Sequence, residues 1–414
     1  MRIAVIGSGA REHAISWGFS REGHEVWTLP GNGGCRRSVP IKSDQFDQID
    51  KFCRANRVDL IVVGPEKPLA LGIQDELAKH GHRVFGPSKR ASVLESSKIW
   101  AKEFMIRNGI QTPPFWIAKD MRNAKEWASQ LNGDCVLKWD GLAAGKGVAV
   151  CSGRSEAEEF VGKYSRQFGS EHFVIEKKLE GRELSLFALT DGREFVLLPA
   201  VQDYKRVYDG DQGPNTGGMG AVSCEQLLDA PMKEKILRKI VRPTIRGLQK
   251  EAIDYMGFLF FGLMLTDGEP YLLEYNVRLG DPEASLVVPM LKTPLAELIT
   301  ACLEHRLGTQ SVKWHEEPFV NIVLVSGGYP GEYRTGFPIA GLEVSEKDLV
   351  IFHAGTEKRD LDVVTKGGRV LNVVASGPSL EAARRKAYQQ CRRIQFSEMY
   401  YRKDIGVLTT GGGH

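Results

Sequence analysis

The sequence predicts a multidomain protein of mixed α/β and α+β class. It has an N-terminal parallel-sheet domain, a central region in two parts and a C-terminal mixed α/β domain. Three observations carry this expectation. Residues 1–97 alternate short apolar strands with polar, helix-period segments, which is the pattern of a parallel sheet with crossover helices. Val136–Cys151, VLKWDGLAAGKGVAVC, reads as strand, glycine loop, strand. A further set of strands followed by one helix begins at about residue 318. The length of 414 residues suits two to four domains with sizeable cores.

In the first domain, Arg2–Ile6, Glu25–Leu29, Leu60–Val63 and Arg83–Phe85 read as short buried strands, with helical segments around 12–20, 46–56, 70–80 and 90–96. The first turn is Gly7-Ser8-Gly9-Ala10-Arg11-Glu12. Glu12 stands where the dinucleotide fingerprint needs its third glycine, and no acid follows Leu29 to hold a ribose, which argues against NAD. Two readings of the turn stay open. Either its glycines and helix N-terminus hold a phosphate or carboxylate with Arg11 adding charge, or it is a tight turn and nothing more. Val63-Gly64-Pro65-Glu66 ends another strand on the edge where open α/β sheets bind ligands.

A helix over Ser97–Asn108, stopped by Gly109 and Pro113-Pro114, opens the second domain. The expected division is 1–97, 98–317 with a small lid subdomain at about 115–180, and 318–414. The glycine loop at 136–151 is not a Walker A loop. Three residues rather than four lie between Gly141 and Gly145, and Gly147 follows Lys146 where Ser or Thr is required. It is either a flap over a polyphosphate, with Lys138 and Lys146 as cations, or a plain glycine-rich hairpin.

A helix over Glu156–Phe168 and strands at Phe173–Glu176, Glu183–Thr190 and Glu194–Ala200 follow. Next is GPNTGGMGA, Gly213–Ala221, whose four glycines and one proline in nine residues argue against regular structure. Asp203, Lys205, Arg206 and Asn215 cluster here, so the stretch reads as a functional loop rather than a linker. A basic amphipathic helix over 231–253 precedes a hairpin of Gly257–Leu265 and Tyr271–Tyr275. The third domain brings strands at Phe319–Ser326, Val350–His353 and Arg369–Val374, then a helix over 379–393.

Composition narrows the function. Hydrophobic content of 42% and charged content of 26% are those of a soluble globular chain. The net charge of +3 offers no broad basic face for nucleic acid, and the arginines and lysine at 384–386 and 392–393 read as a solvated helix face. Seven scattered cysteines without a CxxC spacing argue against a zinc site or disulfide framework and fit a reducing cytosol. The longest apolar run, Phe258–Leu265, is far short of the ~20 residues of a membrane span. The opening MRIAVIGSG reads as a first strand, not a signal peptide. The expectation is a cytoplasmic protein that binds neither membrane nor nucleic acid.

The chemistry concentrates downstream. In Glu274-Tyr275-Asn276-Val277-Arg278 the first, third and fifth residues share one strand face. Glu274 and Asn276 are hard oxygen ligands suited to Mg²⁺ bound together with a nucleotide, and Arg278 would clamp a carboxylate or a transferring phosphoryl group.

The order of these features resembles the ATP-grasp superfamily, and within it the glycinamide ribonucleotide synthetase family of purine biosynthesis. AREH at 10–13, VGPE at 63–66, LESSK at 94–98, DGLAAGKG at 140–147, QDYKR at 202–206, GPNTGGMGA, NVRLGDPE at 276–283, GGYPGEYRTG at 327–336, FHAGT at 352–356, GGRVL at 367–371 and YRKDIG at 401–406 carry the match. The resemblance implies an ATP-dependent, ADP-forming ligation of glycine to 5-phosphoribosylamine through a glycyl phosphate, with Mg²⁺ (or Mn²⁺) and a monomeric enzyme. It implies that Lys98, Lys138 and the flap's Lys146 reach nucleotide phosphates. Glu176 and the backbone through Leu179 would read adenine, and Glu183 would take the ribose. Arg206 and Asn215 would sit by the terminal phosphates, and Glu274 and Asn276 would hold the metal. Arg278 and Arg206 become the catalytic candidates; Gly9, Arg11, Glu66, Asp203, Arg278 and Asp281 become the substrate-binding candidates. The rivals are another carboxylate–amine ligase of the superfamily and a nucleotide-sensing binding protein with a dead clamp.

Overall fold

The computed structural model describes residues 1–142, 147–168, 172–344 and 346–407. The flap residues Gly145 and Lys146 and the C-terminal tail from 408 lie outside them.

Four parallel strands build the first sheet, in the spatial order Glu25–Pro30, Arg2–Gly7, Leu60–Val63, Val84–Phe85. Ile3 to Ile6 are wholly buried, as a strand covered by helices on both faces must be. The helix expected over 70–80 is split at Gly72, whose φ of +95° ends Glu66–Leu71 and starts Ile73–Lys79. Residues at or just past these strands' carboxyl ends line two cavities: Glu66 the first, and Ser8, Gly9, Pro30 and Gly31 the second.

The lid is an antiparallel sheet ordered Phe115–Ala118, Phe173–Lys177, Asp134–Trp139, Val148–Ser152. Helices Met121–Gln130 and Arg154–Phe168 cover it, and it has its own core of Leu137, Phe160, Phe173 and Ile175 among others. The strand–loop–strand reading of 136–151 holds at both ends. Lys138 pairs with Val148, and the Trp139 N–H donates to Gly147 O at 2.8 Å. Gly141 sits at φ +153° with the Trp139 ring where a Cβ would be, so any side chain there would push the ring away.

A central antiparallel sheet runs Phe195–Leu197, Arg182–Thr190, Gly257–Thr266, Glu269–Asn276. A bulge opposite Gly262 and Leu263 shifts its last pairing. The next sheet orders Gln202–Asp203, Gly220–Ser223, Phe319–Ser326, Arg369–Ser376 and Leu349–His353. Its first two strands precede residue 318, so this sheet draws on both sides of the expected boundary. The single helix expected over 231–253 is helical throughout 230–250, but Leu237–Val241 form a π-turn. Pro243 lacks an N–H and crowds the preceding turn, which the wider winding accommodates. GPNTGGMGA departs from expectation: Gln212–Asn215 pair with Arg206–Tyr208, and Gly220 opens a strand. A backbone ladder needs no side chains, so the pairing overrides glycine's poor strand preference.

His13, on the helix Ala10–Arg21, meets His353 at the end of its strand and joins the first and last units. The His353 N–H donates to His13 Nδ1 at 2.9 Å, Asn32 Nδ2 donates to His353 O at 2.7 Å, and the two rings meet edge-on at 5.5 Å. Burial, reinforced by His353, lowers the His13 pKa from 6.5 to about 3, and burial lowers that of His353 to about 4. The unfolded chain therefore binds these protons first as pH falls. The stabilisation is complete above 6.5 and is lost progressively below it. Thermal denaturation should show the midpoint falling more steeply between about pH 7 and pH 5 in the parent than in His13→Gln; parallel slopes would refute the linkage.

Candidate active site

A cavity of about 300 Å³ lies where the lid, the central sheet and the carboxyl edge of the first sheet meet. Its walls include Arg11, Glu66, Lys98, Lys138, Asp203, Glu274, Asn276, Arg278 and Asp281, nine of the sequence-predicted site residues, drawn from six helices and strands and the bend after the last of them. A second cavity of about 870 Å³ lies between the first turn (Ser8, Gly9) and the C-terminal unit (Ala354 to Lys358). Asp281 and Arg369 line both cavities, which therefore adjoin there.

The two lysines arrive from different parts of the fold. Lys98 begins the helix Lys98–Arg107, which Ser97 caps through Trp100 N. Its Nζ donates to Gly141 O at the base of the flap at 2.8 Å. Lys138 sits on the rigid lid strand, is only 4% exposed, and donates to Leu273 O at 2.9 Å. Both Lys138 and Lys102 lie within 2.9 Å of Glu176 Oε1. Burial opposes ionisation of Glu176, yet the two ammonium groups lower its pKa overall. Its carboxylate is thus committed inside the protein and does not line the cleft. Burial lowers the Lys102 pKa to about 8 despite Glu176.

The metal candidates close the floor. Glu274 and Asn276 leave the same face of Glu269–Asn276. The strand ends at Asn276, so Arg278 reaches the same cleft through the bend that follows rather than by alternation. Burial would raise the Glu274 pKa, but Lys205, Lys138 and Lys98 lower it. No donor among the described residues takes up its carboxylate. Among the described residues, Asn276 Oδ1 accepts only from Arg278 Nη2, at 3.2 Å. No group of three or more His, Cys, Asp or Glu among the described residues could hold a metal ion. An ionised carboxylate beside an amide oxygen fits a Mg²⁺ whose remaining ligands are phosphate oxygens and water.

Arg278 is held on two sides: Nε lies 3.3 Å from Glu66 Oε2, and Nη2 lies 2.9 Å from Glu95 Oε1. Burial works against the charge on Glu66, but Arg278 and Arg11 outweigh it and bring its pKa to about 2. Glu95 is deeper. Burial raises its pKa to about 7, while its Oε2 accepts the Val277 N–H at 2.7 Å. Across the cleft, burial raises the Asp203 pKa to about 7 against the pull of Lys205.

The remaining candidates stand apart from the walls. Glu183 pairs with Lys205 at 2.9 Å and is partly exposed. Arg206 donates to Gly213 O at 2.7 Å and faces Asn215 across the short ladder, with Asn215 exposed. Leu179 is half-buried just beyond the lid strand. Gly9 lines the second cavity, and a Cβ there would lie 3.0 Å from Asp281 Oδ2. Its N–H is taken by Glu12 Oε2 at 2.6 Å, so the helix N-terminus already holds a carboxylate from its own chain. Arg11 Nε holds the other oxygen of Glu12 at 2.5 Å.

Sequence reasoning missed Glu95, Lys102, Glu283 and Arg369. Glu283 accepts from Ser185 Oγ at 3.0 Å, and Arg369 pairs with Asp281 at 3.1 Å. Glu95, Glu283 and Arg369 lie inside motifs that the sequence reading quoted, LESSK, NVRLGDPE and GGRVL, as charged residues. That was the available signal. Lys102, one helical turn from Lys98, had only its spacing.

Three family models match the chain: phosphoribosylglycinamide synthetase N domain over residues 1–95, its ATP-grasp (A) domain over 96–284, and its C domain over 319–408. A phosphoribosylamine–glycine ligase of Synechocystis is 43% identical over 98% of this chain and 99% of its own length. The crystal structure of a phosphoribosylamine–glycine ligase from Thermotoga maritima, 37% identical, superposes with a TM-score of 0.84 over 98% of this chain and all of that one. Biotin carboxylase from Campylobacter jejuni, 15% identical with a TM-score of 0.71 over 96% of this chain and 92% of its own, shares the fold. With every domain model matched in order along its length, the chain belongs to the phosphoribosylglycinamide synthetase family.

Proposed function

We propose that this enzyme joins glycine to 5-phosphoribosylamine, converting ATP to ADP and phosphate and giving glycinamide ribonucleotide in purine biosynthesis. The observation that carries this reading is the convergence in one cleft of Lys98, Lys138, the Glu274–Asn276 pair and Arg278, in a chain matched end to end by ligases of that name.

A glycine carboxylate oxygen attacks the γ-phosphorus and the bond to the β-phosphate oxygen breaks, releasing ADP. The sugar amine then attacks the acyl carbon of glycyl phosphate, phosphate leaves, and the amine proton is lost. No protein nucleophile is needed, so the chain's work is positioning and charge neutralisation. Lys98 and Lys138 take phosphate charge from the two jaws, and Arg278 faces the transferring group. Mg²⁺, with Mn²⁺ as an alternative, bound by Glu274 and Asn276 would neutralise phosphate charge. Arg206, Asn215 and the flap's Lys146, which lies outside the described residues, approach the terminal phosphates when the lid closes. The backbone through Leu179 reads adenine and Glu183 meets the ribose once Lys205 yields. Because Glu176 is bound to two lysines, it acts beneath the nucleotide by holding Lys138.

For the sugar phosphate, the second cavity supports a seat around Gly9 that opens toward Asp281. Arg11, Glu66, Asp203 and Arg278 then flank the junction where glycine and the sugar amine meet. We divide the chain into 1–97, 98–317 and 318–414, and read it as a cytoplasmic monomer. Seven free, buried cysteines are in keeping with a reducing compartment, and no helix among the described residues is long and apolar enough to cross a membrane. ADP formation by the purified chain should require glycine and phosphoribosylamine together. Turnover with bicarbonate or another amino acid in place of glycine would favour a different ligase of the fold.

A further inference from the structure

Arg402 belongs to neither cavity, yet it heads the fully buried side chains of the protein, at 0% exposure. Its guanidinium makes four hydrogen bonds from its five N–H donors. Nε and Nη2 hold Asp404 at 2.8 and 2.6 Å, while Nη1 holds Asp211 Oδ1 at 2.7 Å and the Arg206 carbonyl at 3.0 Å. It also lies over the Tyr204 ring, 5.1 Å from the centroid. Its neighbours in YRKDIG bind the same partner segment. Lys403 N–H donates to Asp209 at 2.8 Å, Asp404 accepts the Gly210 N–H at 2.8 Å, and Gly406 N–H donates to the Tyr204 hydroxyl at 3.0 Å. Every one of these bonds that leaves the C-terminal run ends between Tyr204 and Asp211.

That segment is the one that needs holding. Asp203, Lys205 and Thr216 line the cleft, and Thr216 is tied to Lys205 O through both its N–H and its hydroxyl, at 2.8 Å each. Between them, residues 208–215 are exposed. A buried guanidinium is costly and seldom the most stable way to fill a core, so its presence here points to geometry rather than to stability.

We propose that Arg402 is a positioning residue for the ligation: from the C-terminal unit it fixes the segment 203–216, and so sets Lys205, Arg206 and Asn215 against the phosphates. This rests on the reading of Arg206 given under Proposed function. It assigns to the YRKDIG motif a role in the reaction that no cleft contact would suggest.

The test uses the full-length enzyme with Arg402→Met, Asp211→Asn, Arg206→Ala and the double variant Arg206→Ala/Arg402→Met. Arg402→Met should lower kcat/KM for ATP by ~10- to 10²-fold, the scale of a misplaced catalytic group, with a raised KM for ATP. Amide exchange should quicken in 204–215 and at the Lys403 and Gly406 N–H groups bonded to it, and stay unchanged elsewhere. The double variant should lose less than the product of the two single losses, because part of the effect of Arg402→Met runs through Arg206. An unchanged kcat/KM in Arg402→Met, or losses that multiply in the double variant, would overturn the proposal. Should Arg402→Met fail to fold, Asp211→Asn decides, since that side chain is two-thirds exposed: a smaller loss with quickened exchange in 204–215 supports the proposal, and parent-like behaviour overturns it. Arg206→Ala with parent activity refutes the reading of Arg206 and this route with it. A costly Arg206→Ala beside a neutral Arg402→Met refutes the positioning alone.

Discussion

Arg278→Ala is expected to lower kcat by on the order of 10²-fold or more while the protein stays folded, because the variant loses a donor aimed at charge that develops in the transition state. The fork of Arg278 is set before substrate arrives, by Glu66 on one side and Glu95 on the other. Removing it leaves two part-buried carboxyls without their main cation. Glu95 already has a pKa of about 7, so it can take a proton at modest cost near neutrality. Glu66, now at about 2, should rise markedly. The structural penalty is therefore blunted by protonation, and the loss should fall on turnover. Steady-state kinetics beside a thermal melt separates the two. Arg278→Lys should recover only part of the rate, since an ammonium keeps the charge but cannot reproduce the fork. A purified, folded Arg278→Ala enzyme with near-normal kcat would remove Arg278 from the mechanism.

Glu274→Gln should be of similar size and carry a different signature. The substitution keeps shape and one oxygen donor but deletes the ionised carboxylate that Lys205, Lys138 and Lys98 hold in its charged form. Activity at fixed Mg²⁺ should fall by about 10²-fold, as expected when a charge stabilising the transferring phosphoryl group is lost. The Mg²⁺ concentration for half-maximal rate should rise at least ~10-fold, because ligand charge governs affinity for hard cations. A Mg²⁺ titration of the variant reads this directly. An unchanged midpoint would place the metal elsewhere.

That Glu274, Asn276, Lys98 and Lys138 belong to one cleft was legible because their signals are local. Alternation put Glu274 and Asn276 on one face, and a strand entering a glycine loop marked Lys138. Arg278 was found for a reason that proved incomplete, since the strand ends before it and a bend turns it into the cleft. What stayed hidden depends on contacts between distant segments. Glu95 meets Arg278 across more than 180 residues, and Lys102 becomes a site-supporting charge only because Glu176 is buried beside it. Glu12 shows the converse. Its place in the fingerprint argued against a dinucleotide, but only the fold shows its carboxylate on the Gly9 N–H, where a ligand's phosphate was one of the options. The glycine-rich run from 213 was misread as irregular because composition reports side-chain preference, whereas its pairing with Arg206–Tyr208 is made by backbone alone.

The central claim is that glycine's carboxylate becomes an acyl phosphate in this cleft before the sugar amine attacks. Glycine labelled with ¹⁸O in its carboxylate tests it directly. Turnover with ATP and phosphoribosylamine should deliver one labelled oxygen from each reacted glycine into the inorganic phosphate released, with the other retained in the amide product. Phosphate free of label, or ADP release that proceeds without glycine, would contradict the account.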